Sequence, residues 1–113
     1  MLKNYSKTLF DVRHNNERYA TLTASVIDEQ LIIRRIDYND FEINKRTGEV
    51  EGVDFFDKIN TQKLAKAMQA TTSPNFIRLL KMKFGKDGIL WFKENLSEFC
   101  DEKGIVFTHE AYY

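Results

Sequence analysis

The sequence has little of what disulfide-stapled, metal-binding or membrane-spanning proteins need. It holds one cysteine, Cys100, so no disulfide can form within the chain. Only His14 and His109 could join that cysteine, whereas a zinc site requires several Cys or His ligands. No apolar run approaches the roughly 18 residues that span a bilayer, and residues 1–7 lack the apolar core of a signal peptide. These absences predict a cytoplasmic protein with no membrane segment.

Proline and glycine are also scarce, at one and five residues, and no linker rich in them divides the chain. The 113 residues suffice for about one domain, because two halves would each be too small to bury a core. Hydrophobic residues make up 42% of the chain, which is the composition of a folded protein. We therefore expect a single domain over residues 1–113.

The first half of the chain alternates apolar and polar residues with a period of two, which is typical of strands with one buried face. The clearest apolar set is Ala20, Leu22, Ala24 and Val26. Residues 8–12 repeat the pattern, and residues 31–36 are rich in β-branched side chains. Polar turns are expected at 14–17, 28–29 and 44–48, the last of them between strands at 41–43 and 49–53. Residues 37–42 are interpreted as a solvated acidic loop where they begin like a metal-binding one. This half is therefore predicted to be an antiparallel meander of three to five strands.

The second half carries start and stop signals for three helices. Side chains that accept from an unpaired N–H favour a helix start, proline favours the first turn, and glycine favours the end. The predicted starts are Asn60–Thr61, Ser73–Pro74 and Asp87, and the predicted ends are Ala70, Gly85 and Gly104.

Each predicted helix has one apolar face, as expected of a helix that packs on a sheet. The three faces are Leu64, Ala67 and Met68; then Phe76, Ile77, Leu79, Leu80 and Phe84; then Ile89, Phe92, Leu96, Phe99 and Cys100. Residues 105–107 can return as a short last strand. Strands followed by helices predict an α+β fold, with about three helices packed on one sheet face.

Residues 37–48 begin like a calcium-binding loop, with Asp37 and Asn39 at the first and third positions. The likeness then fails, because Phe41 replaces a ligand, Glu42 replaces the glycine of the sharp turn, and Gly48 replaces the closing glutamate. We predict no metal site and no cofactor.

Nucleophilic catalysis would need Cys100 or a serine beside a base. Cys100 belongs to the apolar face of its helix, where a buried and protonated thiol is expected. Residues 85–88 hold two glycines and a lysine before a helix, but they lack the length and the Lys-Ser/Thr ending of a phosphate-binding loop. No catalytic residue is predicted, although seventeen acids leave carboxylate chemistry open.

Charge is balanced overall and segregated along the chain, with 17 basic and 17 acidic residues. Residues 37–57 hold seven acids, and residues 58–86 hold seven bases and no acid. Four of these bases share the polar faces of the first two helices: Lys63, Lys66, Arg78 and Lys81. They predict a basic patch, which the acidic segment 37–57 could neutralise. The same region resembles a helix-turn-helix over residues 64–66, a turn at 70–73 and residues 76–80, although Gln69 stands where that motif has glycine. The basic patch itself indicates a nucleic-acid contact through the four residues.

Trp91 lies opposite the apolar face of the third helix, on the side that carries Glu94 and Glu98. A tryptophan in that position is either covered by its own domain or anchors a partner. Together with Trp91, these two glutamates are the candidate protein-contact residues.

The order of these features resembles a loose type found among small uncharacterised bacterial proteins, without a signature motif, and this resemblance implies no activity. The lack of a catalytic motif, the segregated charge and the position of Trp91 off the apolar face predict a small non-enzymatic binding protein of the inhibitor, immunity or accessory type, whose partner is another protein. The alternative is a nucleic-acid-binding accessory factor that uses the basic helix pair, and a carboxylate enzyme is a third possibility. Homodimer formation through Trp91 is also open.

Overall fold

The structure is a computed structural model that describes residues 2–15, 18–43 and 46–112, with side chains described for 2–13, 19–38 and 50–112. It contains one antiparallel sheet and three helices. The elements, in chain order, are β1 (Tyr5–Asn15), β2 (Arg18–Ile27), β3 (Gln30–Ile43), β4 (Arg46–Phe56), α1 (Lys58–Ala67), α2 (Ser73–Phe84), α3 (Ile89–Lys103) and β5 (Thr108–Tyr112). This confirms the predicted α+β fold, with a four-stranded meander, three helices and a short last strand.

The sheet keeps the strands in sequence order, β1-β2-β3-β4-β5, and each pair is antiparallel. Its register places Val12, Ala20, Asp37 and Val50 side by side across four strands. We call this set the floor row. The predicted alternation on β2 is confirmed, because Leu22, Ala24 and Val26 are all buried.

A register shift in β1 brings two consecutive side chains to the core. The pairing of β1 with β2 skips one residue between Thr8 and Phe10, which is the signature of a β-bulge. As a result Leu9 is buried in the core, and Phe10 packs against the same cluster. Strict alternation along residues 8–12 does not predict this.

The helices divide the sheet between them: α1 lies on β3 and β4, α2 lies on β1 and β2, and α3 packs against α2. The core between the layers is built mainly from Phe and branched aliphatic residues. Its largest fully buried members are Phe56, Phe76, Phe84, Phe92, Leu31, Ile33, Leu64, Ile77, Leu80 and Leu96. The predicted apolar faces are confirmed except at Ala67, which is exposed while Ala65 is buried in its place.

The first helix starts three residues before the predicted cap. Asp57 follows the end of β4 directly, and its carboxylate accepts from the backbone N–H of Asn60 at 2.8 Å. Thr61, predicted as part of the cap, is instead fully buried. Its hydroxyl accepts from the Leu31 N–H at 2.9 Å and donates to the Phe56 carbonyl at 3.2 Å, so it ties α1 to two strands.

The second helix is capped by Thr72, one residue before the predicted Ser73. The Thr72 hydroxyl accepts from the N–H of Asn75 at 3.3 Å. Ser73 is buried and donates to the Lys3 carbonyl at 2.5 Å, which ties the start of the chain to α2. Gly85 ends the helix as predicted, and a Cβ there would lie 2.9 Å from the Phe10 ring.

The third helix has no side-chain cap, and the prediction of Asp87 as its cap is wrong. Gly88 occupies the N-cap position at φ 94°, a conformation that favours glycine. Asp87 instead accepts from the side-chain amide of Asn95 at 3.2 Å. The predicted end at Gly104 is confirmed, with its left-handed φ of 67°.

Two predicted loops are strand. The acidic segment 37–42 continues β3, and residues 46–48 of the predicted turn already belong to β4, while 44 and 45 lie outside the described residues. Of the predicted hairpin loop, 14 and 15 belong to β1, and 16 and 17 also lie outside the described residues. The last strand is Thr108–Tyr112 and not 105–107, because Ile105 is buried and Phe107 stacks on Phe56 at 4.7 Å.

Candidate functional site

A groove of about 770 Å³ separates the first turn of α3 from the floor row of the sheet. Phe10 and the floor row line one side, and Ile89, Leu90 and Trp91 line the other. Its size falls within the range of about 300–1,000 Å³ that is usual for binding sites. We call it the α3 groove.

Arg35 holds the two sides of the α3 groove together. Its guanidinium makes a two-pronged ion pair with Asp37, at 2.8 and 3.1 Å, and donates to the Ile89 carbonyl at 3.2 Å. Because the guanidinium is planar and rigid, it fixes the first turn of α3 above β3. This contact could not be predicted from the sequence, because 54 positions separate Arg35 from Ile89.

Two adjacent hydrophobic side chains project from the α3 side of the groove. Leu90 is 73% exposed and Trp91 is 52% exposed. The structure thus places Trp91 on the rim of a groove, where it is only partly covered by its own chain. Leu90 was missed from the sequence, although it lies off the apolar face of α3 just as Trp91 does.

Stacked aromatic rings lie next to the floor row. Tyr19 and Tyr38 are cross-strand neighbours whose rings stack 5.1 Å apart, and both residues border the groove. The guanidinium of Arg13 lies over the Tyr19 ring at 5.2 Å and pairs with Asp11 at 3.4 Å. Because Tyr19 and Tyr38 are adjacent along their strands to Ala20 and Asp37, their side chains belong to the sheet face opposite the floor row.

The three predicted protein-contact residues do not lie in one place. Trp91 lines the α3 groove, and Glu94 is exposed one turn further along the same helix. Glu98 instead lines a separate shallow depression, together with Lys83 and Lys86. Glu94 therefore remains beside the groove, whereas Glu98 has lysine neighbours of its own.

The four predicted nucleic-acid contacts are all exposed, but the two helices give them different surroundings. Lys66 lines a depression on α1 that also contains Glu29. On α2, Lys81 lies over the Phe10 ring at 5.4 Å, and Arg78 contacts the Met82 sulfur at 3.3 Å. Lys63 is the fourth, and its charge helps to lower the pKa of Asp57, after the hydrogen bonds from Asn60.

The acidic segment does not neutralise these four bases through any ion pair within the described side chains. Three of its seven carboxylates pair elsewhere: Asp37 with Arg35, Glu51 with Arg34 at 2.6 Å, and Asp54 with Lys93 and His109. The side chains of Asp40, Glu42 and Glu49 lie outside the described ones. Asp37, Glu51 and Asp54 are thus matched by bases of the sheet and of α3. On α1, Lys58 pairs with Glu29 at 3.0 Å, whereas Lys63, Lys66, Arg78 and Lys81 form no ion pair with the described side chains.

A cluster of charged residues that the sequence did not reveal joins β4, α3 and β5. The Asp54 carboxylate is buried, and it lies 2.6 Å from the His109 Nδ1 atom and 3.5 Å from the Lys93 ammonium. His109 and Asp54 are direct cross-strand partners. The three residues are far apart in sequence, so only the fold brings them together.

Chemical groups that could support catalysis or metal binding are already engaged. Burial, and then the neighbouring charge of Asp101, raise the pKa of the Cys100 thiol from 9.0 to about 12, so it is protonated at neutral pH. The two carboxylates of the α3 groove, Asp37 and Asp87, accept from Arg35 and Asn95 respectively. Across the described residues, no group of three or more His, Cys, Asp or Glu side chains is placed to hold a metal ion.

Comparisons of the chain with models of protein families, with curated proteins and with solved structures gave no match. Within the described residues, none of the three helices is long and apolar enough to cross a membrane.

Proposed function

We propose that this chain is a small non-enzymatic binding protein of the cytoplasm that holds a segment of another protein in the α3 groove. The observation that carries the proposal is the exposed pair Leu90 and Trp91 on the rim of a mostly apolar groove. Exposed apolar area that is contiguous with a groove is a recurring feature of interaction sites. Tryptophan is also the residue type most enriched among the energetically dominant contacts of interfaces.

A protein segment fits this surface better than a small ligand does. A small molecule inside the groove would cover Ile89 and the floor row but would leave most of Leu90 in water. A partner that continues past the rim covers Leu90 and Trp91 as well, and removing apolar area from water contributes about 25 cal/mol per Å².

Replacing Trp91 with Ala tests the proposal. The tagged protein is used to capture partners from native lysate, and the variant should retain at least about tenfold less of the specific partner, because a central tryptophan contributes about 2 kcal/mol or more to binding. Thermal stability should change little, since the side chain is half exposed and substitutions at such sites cost less than about 1 kcal/mol.

Ile59→Ala is the matched control, because Ile59 is 66% exposed on α1 and does not line the groove. This variant should capture the partner as the wild type does. Equal capture of the partner by the Trp91→Ala variant and the wild type would contradict the proposal. A large loss of stability on replacing Trp91 would instead assign that side chain to the core.

A second candidate function is supported by the basic side chains of α1 and α2. Lys63, Lys66, Arg78 and Lys81 are exposed and form no ion pair with the described residues. Unpaired Lys and Arg on one side of a protein attract the phosphate backbone regardless of base sequence. The alternative is thus a nucleic-acid-binding accessory factor.

A further inference from the structure

We infer that the segment held in the α3 groove is cationic as well as apolar, with Lys or Arg flanking its apolar residues. The inference rests on the proposed function and adds the chemistry of the partner to it. It follows from the charges that surround the exposed Leu90–Trp91 pair.

Two acids beside this pair have no cationic partner among the described side chains. Asp87 lines the groove and accepts only from the neutral amide of Asn95. Glu94 is exposed and lies on α3 one turn after Trp91. Both carboxylates therefore face solvent with their charge uncompensated, next to the apolar surface.

Two nearby cations are already paired, and a third lines a separate depression. Arg35 is held by Asp37, and Lys93 lies 3.5 Å from the buried Asp54. Lys86 lines the separate depression with Glu98. Among the described side chains, the unpaired charges at the rim are thus the negative ones of Asp87 and Glu94. A partner of complementary charge carries positive residues at this position.

The same charges argue against a second copy of this chain as the occupant. In a two-fold dimer the same patch meets itself, so Trp91 would bring Asp87 and Glu94 of one copy near those of the other. Like charges placed together in an interface oppose association. A partner with a different sequence avoids this repulsion.

Two matched peptides test the inference with the full-length protein. Each has about 15 residues with leucine at helical spacing and carries a fluorescein label; one has lysine and the other glutamate on its polar face. Binding is measured by anisotropy, and by the emission of Trp91, the only tryptophan in the sequence. The lysine peptide should bind at least about tenfold more tightly than the glutamate peptide, and more weakly as salt rises.

Variants that remove the charges of Asp87 and Glu94 test whether these two side chains cause the preference for the lysine peptide. Asp87→Asn with Glu94→Gln should weaken binding of the lysine peptide about tenfold and flatten its salt dependence. The control pair, Asp101→Asn with Glu102→Gln, removes two charges from the far end of the same helix and should leave the affinity within about twofold.

Equal binding of the two peptides, binding of neither, or an equal loss in the control pair would overturn the inference. Those outcomes leave the proposed function standing if the Trp91→Ala protein still loses its lysate partner. If the Trp91→Ala protein captures its lysate partner as well as the wild type does, the proposed function itself is rejected.

Discussion

At the scale of single residues, the buried thiol of Cys100 shows how packing decides chemistry. Its side chain is fully buried on α3, within the core cluster that includes Phe92 and Leu96. Transferring a thiolate into that environment is costly, which is why burial raises its pKa to about 12. Cys100 therefore acts as a small apolar residue, as its place on the apolar face of α3 predicts.

Replacing Cys100 with Ala should cost about 1 kcal/mol of stability at pH 7, through lost packing. The unfolded thiol loses its proton near pH 9, whereas the folded thiol keeps it until about pH 12. Stability from this group is thus complete below pH 9 and is lost as the pH rises toward 12. By pH 10 the wild type should lose about 1.4 kcal/mol that the variant does not lose.

The measurement is urea unfolding of both proteins at pH 7 and pH 10, followed by far-UV circular dichroism. Tyrosine and lysine titrate in both proteins, so their contributions cancel in the comparison. A stability difference that stays constant across this pH range would show that the Cys100 thiol ionises freely in the folded protein.

At the scale of helices and strands, the contacts of Asp54 with Lys93 and His109, which we call the Asp54 cluster, link α3 and β5 to β4. The buried carboxylate of Asp54 contacts His109 of β5 and Lys93 of α3, and both of these side chains are partly exposed. The arrangement is asymmetric: if the acid is removed, the partly exposed side chains of Lys93 and His109 can be hydrated, whereas removal of these two side chains leaves a buried carboxylate without a partner.

This asymmetry predicts an unusual order of stabilities. The double variant Lys93→Ala with His109→Ala should lose about 2 kcal/mol, because Asp54 is left buried without a partner. Adding Asp54→Val should restore most of that loss, since an apolar β-branched side chain suits a buried strand position. Urea unfolding of the wild type, the double variant and the triple variant measures these stability differences. A triple variant less stable than the double variant would mean that the Asp54 carboxylate is stabilised by groups other than Lys93 and His109.

The sequence predicted which elements exist better than where they begin. Leucine and phenylalanine spacing identified α2 and α3 because a helix that packs on a sheet must bury one face. The start of α1 was misplaced because Asp57, Asn60 and Thr61 can all cap a helix, and only the end of β4 selects Asp57. Polarity predicts an acidic loop at residues 37–42, although Asp37, Tyr38 and Asn39 each pair with both β2 and β4 and so belong to β3.

At the scale of the whole molecule, the candidate site depends on long-range geometry. Trp91 could be singled out from its position on α3 alone. The α3 groove could not, because its floor row joins four strands whose register depends on the bulge near Leu9 and on the hairpins. The molecule is elongated, at 45 × 25 × 21 Å, and the groove lies where the first turn of α3 faces the floor row.

Charge is also a property of the whole molecule here. Among the described side chains, Asp37 and Glu51 pair within the sheet and Asp54 pairs with Lys93 of α3, while Lys63, Lys66, Arg78 and Lys81 on α1 and α2 form no ion pair, although the net charge is zero. The protein-binding and nucleic-acid-binding hypotheses therefore concern different surfaces, one centred on Trp91 and the other on Lys63, Lys66, Arg78 and Lys81.

If the basic surface binds duplex DNA through these four side chains, counterion release predicts a slope of about −3.6 in log K against log salt. Affinity for a labelled duplex should then fall on the order of 100-fold when salt rises fourfold. Replacing all four residues with Gln should remove most of the binding and nearly all of the slope. The control variant removes four other bases: Lys3, Lys7, Lys86 and Lys103. Equal losses in both variants would indicate attraction to charge in general, and binding absent from the wild type would leave the α3 groove as the functional surface.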